Sequence, residues 1–246
     1  MHRIAFLAIL ALLAGCSAPA GYQGLLADPQ PLPGEASFAA VAARVAPVAE
    51  QVCRERAVVR NCTFRILIDT RPDQPPNAFQ TVDRSGRPIL GFNTALIAQA
   101  RNADELAFVM GHEASHHIRG HIPQREQAAV SGALLGAILA TAQGLAPQDV
   151  ERAGQLGAEL GARRFSKAFE LEADALGTEI ALRAGFDAVR GSAYFDRLPD
   201  PGDQFLGTHP ANADRKALVR ATQQRLLAQG VGHRGAVIGP VARTAP

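Results

Sequence analysis

The chain has 246 residues, of which 47% are hydrophobic and 20% are charged, and its formal net charge is +2. This balance is typical of a globular protein and excludes a disordered, fibrous or polytopic membrane chain. The 25 basic residues are scattered among 23 acidic ones, so no basic tract indicates a nucleic-acid partner. The length allows one large domain or two small ones and is sufficient to bury a sizeable core.

The first segment, residues 1–15, is predicted to be a signal peptide. His2 and Arg3 make a short positive start. The apolar run that follows, residues 4–13, is too short to span a bilayer as a mature helix. Its length and its small closing residues favour removal of the segment from the mature chain.

The segment ends in Leu13-Ala14-Gly15-Cys16, which resembles the bacterial lipoprotein box. The resemblance implies cleavage before Cys16, diacylation of its thiol and acylation of the new amino end. Two or three acyl chains hold a protein stably on a membrane, whereas a single chain does so only marginally. We therefore expect a lipid-anchored protein that faces the periplasm, and Ser17 after the cysteine favours the outer membrane.

Three segments are expected after the signal peptide. Residues 16–35 hold the lipidated cysteine and a tether rich in Pro, Gly and Ala, residues 36–232 form the domain, and residues 233–246 form a flexible tail. Cys53 and Cys62 are an even pair in an oxidising compartment. We expect them to form a disulfide that contributes about 2–3 kcal/mol in the chain-entropy model.

The domain is predicted to have an α+β fold that is mainly helical and carries a small β-sheet. Apolar residues at helical spacing predict a first helix from Ser37 to Ala57, despite Pro47. Alternating apolar residues then predict a sheet with an exposed edge, and the periodicity is helical beyond Thr94. The predicted strands span residues 63–69, 78–82 and 88–92, and the later helices span 94–101, 104–119, 124–142, 148–161, 164–185, 187–197 and 212–229.

One run without charge, residues 128–148, has two interpretations. Its length approaches a membrane span, and Gly132 and Gly136 have the Gly-xxx-Gly spacing of membrane helix pairs. Polar residues and Pro147 interrupt the run, and Ala and Gly dilute its hydrophobicity. We expect a buried helix of small side chains, with membrane or partner contact as the alternative.

The residues with the clearest chemistry lie between Met110 and His117. On a helix His112 and His116 stand one turn apart on the same face, so two imidazole nitrogens can converge on one cation. Glu113 lies about 100° round the helix, beside the place of a water bound to that cation. This is the arrangement of a zinc hydrolase, and it predicts one zinc ion per chain.

A zinc hydrolase needs a third protein ligand and an open fourth position. One class of proteases supplies a third His six residues after the second, but the chain has none six residues after His116. A carboxylate on a later helix is the alternative, and the segment 165–174 offers Glu170, Glu172 and Asp174. Glu170 and Asp174 are one turn apart, so Asp174 can hydrogen-bond a ligand histidine if Glu170 binds the metal.

Together these motifs resemble the zinc metallopeptidases of the HtpX, BepA and CAAX-prenyl-protease type, which are gluzincins. The resemblance is carried by His112-Glu113-x-x-His116 and by Glu170-x-Glu-Ala-Asp174. It implies a zincin-type domain with an active-site helix, in which His112, His116 and Glu170 bind zinc and Glu113 is the catalytic base. The intramembrane helices of two branches are absent, so the periplasmic BepA-like branch fits better.

Further matches follow in chain order. Asn77-Ala78-Phe79 resembles a strand of the family, for which we expect contact with an extended substrate. His209-Pro210 with Arg215 resembles a late element of the family. His209 is then a fourth ligand that holds the enzyme latent, a stabiliser of the tetrahedral intermediate, or a capping or surface residue before Pro210. Arg215 is expected to support the ligands or to regulate the site. We expect His117 and His121 to be structural or to support the ligands.

The predicted function is zinc-dependent endopeptidase activity in the bacterial envelope, directed at misfolded or misassembled proteins. The expected partners are these polypeptides and, through the lipid anchor, the membrane. The alternative is a chaperone-like or scaffolding lipoprotein that uses the protease fold mainly for binding. The complete set of ligands and base favours the enzyme, because a protein that only binds has no need of Glu113.

Overall fold

The structure, a computed structural model, describes residues 38–56, 59–164, 166–199 and 210–232. The predicted signal peptide, Cys16 with its tether, the tail and His209 lie outside the described residues. Within them the chain is mainly helical and contains one small sheet. The predicted fold class is therefore confirmed.

The first helix, α1, spans Phe38–Arg56 and forms one wall of the core. Near its end Cys53 forms a disulfide with Cys62, nine positions further along the chain. The disulfide ties the helix to the segment that enters the sheet. The side chains that α1 buries repeat at helical spacing and include Val41, Val45, Ala49 and Val52.

Three strands form a small mixed sheet. They are β1 (Arg65–Asp69), β2 (Ala78–Val82) and β3 (Pro88–Asn93), and β3 lies in the middle. The central strand pairs in parallel with β1 and antiparallel with β2. In the turn after β2, the Asp83 carboxylate accepts two backbone N–H groups and so fixes the hairpin. Among the described residues β2 has a neighbour on one side only, which makes it an edge strand.

The rest of the described chain is helical and follows the predicted order with two differences. The predicted helix at 187–197 divides into an α-helix and a 3₁₀ helix, Ser192–Arg197. The helix predicted to start at residue 124 begins at His121, because Pro123 falls in its first turn, where its missing N–H costs nothing. The α-helices are α2 (Thr94–Gln99), α3 (Ala103–Ile118), α4 (His121–Ala142), α5 (Pro147–Arg164), α6 (Ser166–Arg183), α7 (Ala188–Gly191) and α8 (Asn212–Ala228).

At the centre of the fold α3 packs between α1 and α6. The side chains of Phe108 and Met110 are fully buried in this core. Gly111 on α3 faces Gly177 on α6 so closely that a Cβ built on Gly111 would lie 2.8 Å from the Gly177 carbonyl oxygen. Only glycine permits such an approach of two backbones. The contact brings the residues that follow Gly111 next to the polar residues of α6.

The uncharged run lies in a helical hairpin formed by α4 and α5, and the prediction that it is buried is wrong. Small residues of α4 pack against α5, but in α4 only His121 and Ala140 are buried. The larger apolar side chains of the run are exposed, because the hairpin meets the rest of the described chain chiefly at its base. None of the described helices is long and apolar enough to cross a membrane.

Candidate metal centre

Three side chains of the predicted site converge on one point. His112 and His116 extend from α3, and Glu170 extends from the facing helix α6. The two Nε2 atoms are 3.1 Å apart. Each lies 3.5 Å from one oxygen of the Glu170 carboxylate. The one-turn spacing of the histidines and the close contact of α3 with α6 produce this arrangement.

The donor atoms fit a tetrahedral metal ion. Zinc binds histidine nitrogen and carboxylate oxygen at about 2.0–2.2 Å, so adjacent donors around a tetrahedral ion are separated by about 3.3 to 3.5 Å. The two separations of 3.5 Å, one to each oxygen of Glu170, match this requirement, and the separation of 3.1 Å between the two Nε2 atoms is slightly shorter. Two imidazoles and one carboxylate are a ligand set of catalytic zinc sites, which keep a fourth position open.

His112 is held from behind by a buried ion pair. Its Nδ1 lies 2.9 Å from Oδ1 of Asp174, which is fully buried on α6. Arg215 of α8 donates two hydrogen bonds of 2.7 Å to that carboxylate. Burial disfavours the charged form of Asp174, but the bonds from Arg215 and His112 outweigh it and lower its pKa. The ion pair therefore fixes the ring so that Nε2 points toward the candidate ligands.

His116 is held from behind by a second histidine. Its Nδ1 lies 2.8 Å from Nδ1 of His121, whose ring stacks on Phe169 with 4.3 Å between ring centroids. The Nε2 atom of His121 is buried, and the Glu172 carboxylate lies 3.6 Å from it. Burial and the charge of His112 lower the pKa of His116 to about 3, which leaves it neutral and able to bind a metal.

The spacing of these two histidines in the sequence does not predict their contact. They are five positions apart, a spacing that does not place residues on one face of a helix. The chain ends α3 and passes through Gly120, which has a φ of 68°. This left-handed turn starts α4 and returns His121 to the ligand. A Gly directly before a His, just after the motif, is the signal in the sequence.

Glu113 faces a cavity of about 550 Å³ beside the three donor atoms. Burial is the main cause that raises the pKa of Glu113 to about 7. The cavity wall is largely apolar and includes Arg125, whose side chain is exposed. Its apolar lining includes Leu96, Phe108, Val109, Phe169, Tyr194, Phe195 and Leu198.

The edge strand β2 contributes to the same cavity. Asn77, Ala78 and Gln80 line it, whereas Phe79 does not. The Phe79 ring covers Gly91 of the neighbouring strand, where a Cβ would approach the ring to 2.3 Å. Successive side chains of a strand point to opposite faces, so Phe79 lies on the far face. The structure thus places two of the three predicted substrate-binding residues at the cavity.

The structure describes two of the other predicted residues, His117 and Arg215. His117 points away from the cavity and donates through Nε2 to the Asn61 carbonyl oxygen at 2.7 Å. Burial lowers its pKa. Arg215 both pairs with Asp174 and lines the cavity. His209 lies outside the described residues, so its place relative to the donors is not described.

The pattern that defines Peptidase family M48 matches residues 39–223, which include every donor atom described above. The matched segment is therefore a metallopeptidase domain. The chain belongs to Peptidase family M48, which confirms the resemblance seen in its two motifs.

Three curated relatives match part of the chain. The putative beta-barrel assembly-enhancing protease of Vibrio cholerae serotype O1 is 32% identical over 143 residues, which are 51% of this chain and 29% of that protein. The beta-barrel assembly-enhancing proteases of Escherichia coli (strain K12) and Yersinia pestis are each 30% identical over 148 and 151 residues, 54% of this chain and 30% of theirs. The match spans less than a third of each relative. No solved structure matches the chain significantly.

Proposed function

We propose that the chain is a zinc-dependent endopeptidase of the bacterial envelope. The observation that carries the proposal is the convergence of His112, His116 and Glu170, whose ligand atoms lie close enough together to hold one zinc ion. Glu113 opens onto the same cavity. Membership of Peptidase family M48 supports peptide-bond hydrolysis as the reaction.

The proposed mechanism uses Glu113 as the group that moves protons. The side chains of His112, His116 and Glu170 would hold the zinc ion, which when bound would supply a Lewis acid that polarises a carbonyl group and lowers the pKa of water. Glu113 accepts the proton of the attacking water on a carboxylate oxygen and then gives it to the nitrogen of the leaving amine. Because burial raises its pKa to about 7, the same group can perform both transfers near neutral pH.

The proposed substrate is an extended polypeptide bound along β2. Among the described residues this strand has one open edge, and Asn77, Ala78 and Gln80 place it at the cavity wall beside Glu113. A peptide added to a strand edge is held mainly through its backbone, so any unfolded segment qualifies. This mode of binding and the names of the relatives support misfolded or misassembled envelope proteins as substrates.

The proposed location is the periplasmic side of the envelope, on the outer membrane, with acylated Cys16 as the anchor and residues 16–35 as a tether. The support comes from the lipoprotein-box sequence before Cys16. The domain then comprises residues 36–232 and the tail residues 233–246. Cell fractionation of Cys16→Ser should find the protein released from the membrane or left as an uncleaved precursor.

His209 is proposed as a latch that occupies the fourth position of the metal. The sequence between Pro199 and Pro210 is rich in Gly and Pro, which suits a segment that brings a ligand in and out. His209→Ala should raise the kcat/KM for a fluorogenic peptide and keep the zinc. A large fall would instead make His209 a stabiliser of the tetrahedral intermediate, and no change would make it a surface residue.

One experiment separates the enzyme from the chaperone-like or scaffolding alternative. The full chain should contain about one zinc ion and should hydrolyse unfolded casein. Glu113→Gln should keep the zinc, because Glu113 is not one of the converging donors, and should lose the hydrolysis. A binding protein would hold casein equally well with Glu or Gln at this position and would cleave it with neither.

A further inference from the structure

The hairpin of α4 and α5 has its large apolar side chains on the outside. Val130, with 70% of its surface exposed, is the most open of them. We call the set the leucine face, and its members are Val130, Leu134, Leu135, Ile138 and Leu139 on α4 with Leu156 and Leu160 on α5. Monomeric soluble proteins rarely leave so many large aliphatic side chains open to water on one small element.

The close contact between the two helices causes this exposure. A Cβ on Gly132 would lie 2.1 Å from the Gly157 carbonyl oxygen, and one on Gly136 would lie 2.2 Å from that of Ala153. A Cβ on Gly161 would meet the Ala128 carbonyl oxygen at 2.2 Å. Only Gly fits at these three contacts, so the larger apolar side chains have no place between the two helices.

The pattern of charges favours a second identical hairpin over the leucine face. Residues 127–148 carry no charge, so two copies of α4 can meet without repulsion. The whole hairpin, residues 121–164, has four Arg and four acidic residues and is therefore neutral with His uncharged. A neutral surface neither repels its own copy nor attracts an anionic membrane.

The composition of the hairpin disfavours a lipid surface. Residues 121–164 contain no Lys, Trp, Tyr or Phe, whereas helices that lie in a membrane interface are rich in basic residues and use Trp or Phe as anchors. Asp149 and Glu151 stand in the first turns of α5, directly after the tip of the hairpin. Two acidic side chains at this point oppose insertion of the tip into a bilayer.

The exposed area is sufficient for a stable pair. A half-exposed aliphatic side chain offers on the order of 100 Å² for burial. Seven of them then offer up to about 700 Å² in each copy and up to about 1,400 Å² in a pair, which reaches the range of about 1,200–2,000 Å² for specific interfaces. In a two-fold pair each copy contributes the same face, so no second surface is needed.

We propose that the leucine face is the interface between two copies of this chain, related by a two-fold axis, with α4 of each copy packed on the hairpin of the other. The pairing removes the apolar side chains from water and leaves the charged residues of α5 at the rim. None of the residues of the leucine face lines the cavity beside the metal centre, so pairing leaves the cavity of each copy open.

Cysteine cross-linking in native membranes tests the proposal on the full chain. Single Cys substitutions at Leu134, Leu135, Ile138 and Leu139 should include at least one that forms a disulfide-linked species of twice the chain mass, since residues near a two-fold axis meet their own copies. Gln155→Cys, on the exposed polar side of α5, is the matched control and should form none.

A mass measurement on the purified full chain provides the second test. Light scattering should give a dimer for the unaltered chain and for Gln155→Glu, and a monomer for Leu135→Glu combined with Ile138→Glu. The double variant should keep its zinc, because neither residue belongs to the metal centre. A monomeric unaltered chain, cross-links to some other protein, or no cross-link at all four positions would overturn the proposal.

Discussion

His121 stands directly behind His116, with 2.8 Å between their Nδ1 atoms. Two ring nitrogens at this distance share one proton. When Nε2 of His116 serves as a ligand, its Nδ1 carries the proton and donates it to His121. The proton of His121 then lies on Nε2, which faces Glu172 at 3.6 Å. His116 is thus oriented by His121 as His112 is oriented by Asp174.

Replacement of His121 should weaken zinc binding without removing a ligand. In His121→Ala the ring of His116 loses the partner that fixes its tautomer and orientation. Loss of such a partner typically costs about 10–100-fold in metal affinity. Competition with a chromogenic chelator measures the zinc dissociation constant of the variant and of the unaltered chain.

His117→Ala is the matched control for this substitution. His117 is also a buried histidine beside the motif, but it bonds the Asn61 carbonyl oxygen and does not touch the donors. Its replacement should reduce thermal stability and leave zinc affinity within a few-fold of the original. If the two variants lost zinc equally, general disturbance of α3 would explain the effect and the positioning role of His121 would be wrong.

The two glutamates of α6 should differ sharply as alanine variants. Glu170→Ala removes one of three donors and should lose both zinc and activity, since two histidines alone do not complete a site. Glu172 is half exposed and lies 3.6 Å from His121, not beside the donors. Glu172→Ala should therefore keep its zinc. Equal zinc contents in the two variants would show that the third ligand is not Glu170.

Much of the candidate site could be predicted, because residues close together in the sequence determine its geometry. Two histidines one turn apart must share a face of a helix, whatever surrounds them, and a carboxylate on a later helix was the remaining choice for the third ligand. The position of His121 was not predictable in this way. It depends on the left-handed turn at Gly120, which a helical repeat does not reveal.

In the fold, too, features set by nearby residues were predicted, whereas features set by contacts between separate helices were not. The order of helices and strands follows from the periodicity of apolar residues, and all three strands lie where they were expected. The burial of α4 did not follow, because an uncharged helix of small residues has the same pattern in a core and in a tight hairpin. The close contact of Gly132 with Gly157 of α5 shows that α4 belongs to a tight hairpin, and a contact between two separate helices cannot be read from the periodicity of one of them.

Zinc affinity should rise with pH between pH 6 and 8. Burial disfavours the charged form of His112, but the hydrogen bonds to Asp174 and Glu170 outweigh it and raise its pKa to about 10. In chelator-treated protein the ring is then protonated at neutral pH, and zinc must displace that proton. For one such proton the affinity should increase about tenfold per pH unit below the pKa.

Titration calorimetry measures this coupling. In two buffers with different ionisation enthalpies at pH 7, the difference in heat should correspond to about one proton released per zinc ion from His112. His116 should add none, because its pKa of about 3 leaves it already neutral. Affinity that is constant from pH 6 to 8 would contradict a protonated His112.

The contact of Gly111 with Gly177 should control how well the ligands of α3 and α6 converge. In Gly111→Ala the new Cβ would lie 2.8 Å from a backbone carbonyl oxygen of α6, so the two helices must separate. Overpacking of this kind costs about 1–3 kcal/mol of stability, and the separation should also draw Glu170 away from the histidines and weaken zinc binding.

Gly154→Ala on the hairpin is the control, because its Cβ would have no neighbour closer than 3.5 Å. Thermal melting and zinc competition on both variants should show losses for Gly111→Ala alone, and unchanged zinc affinity in that variant would mean that the helix contact does not position the ligands.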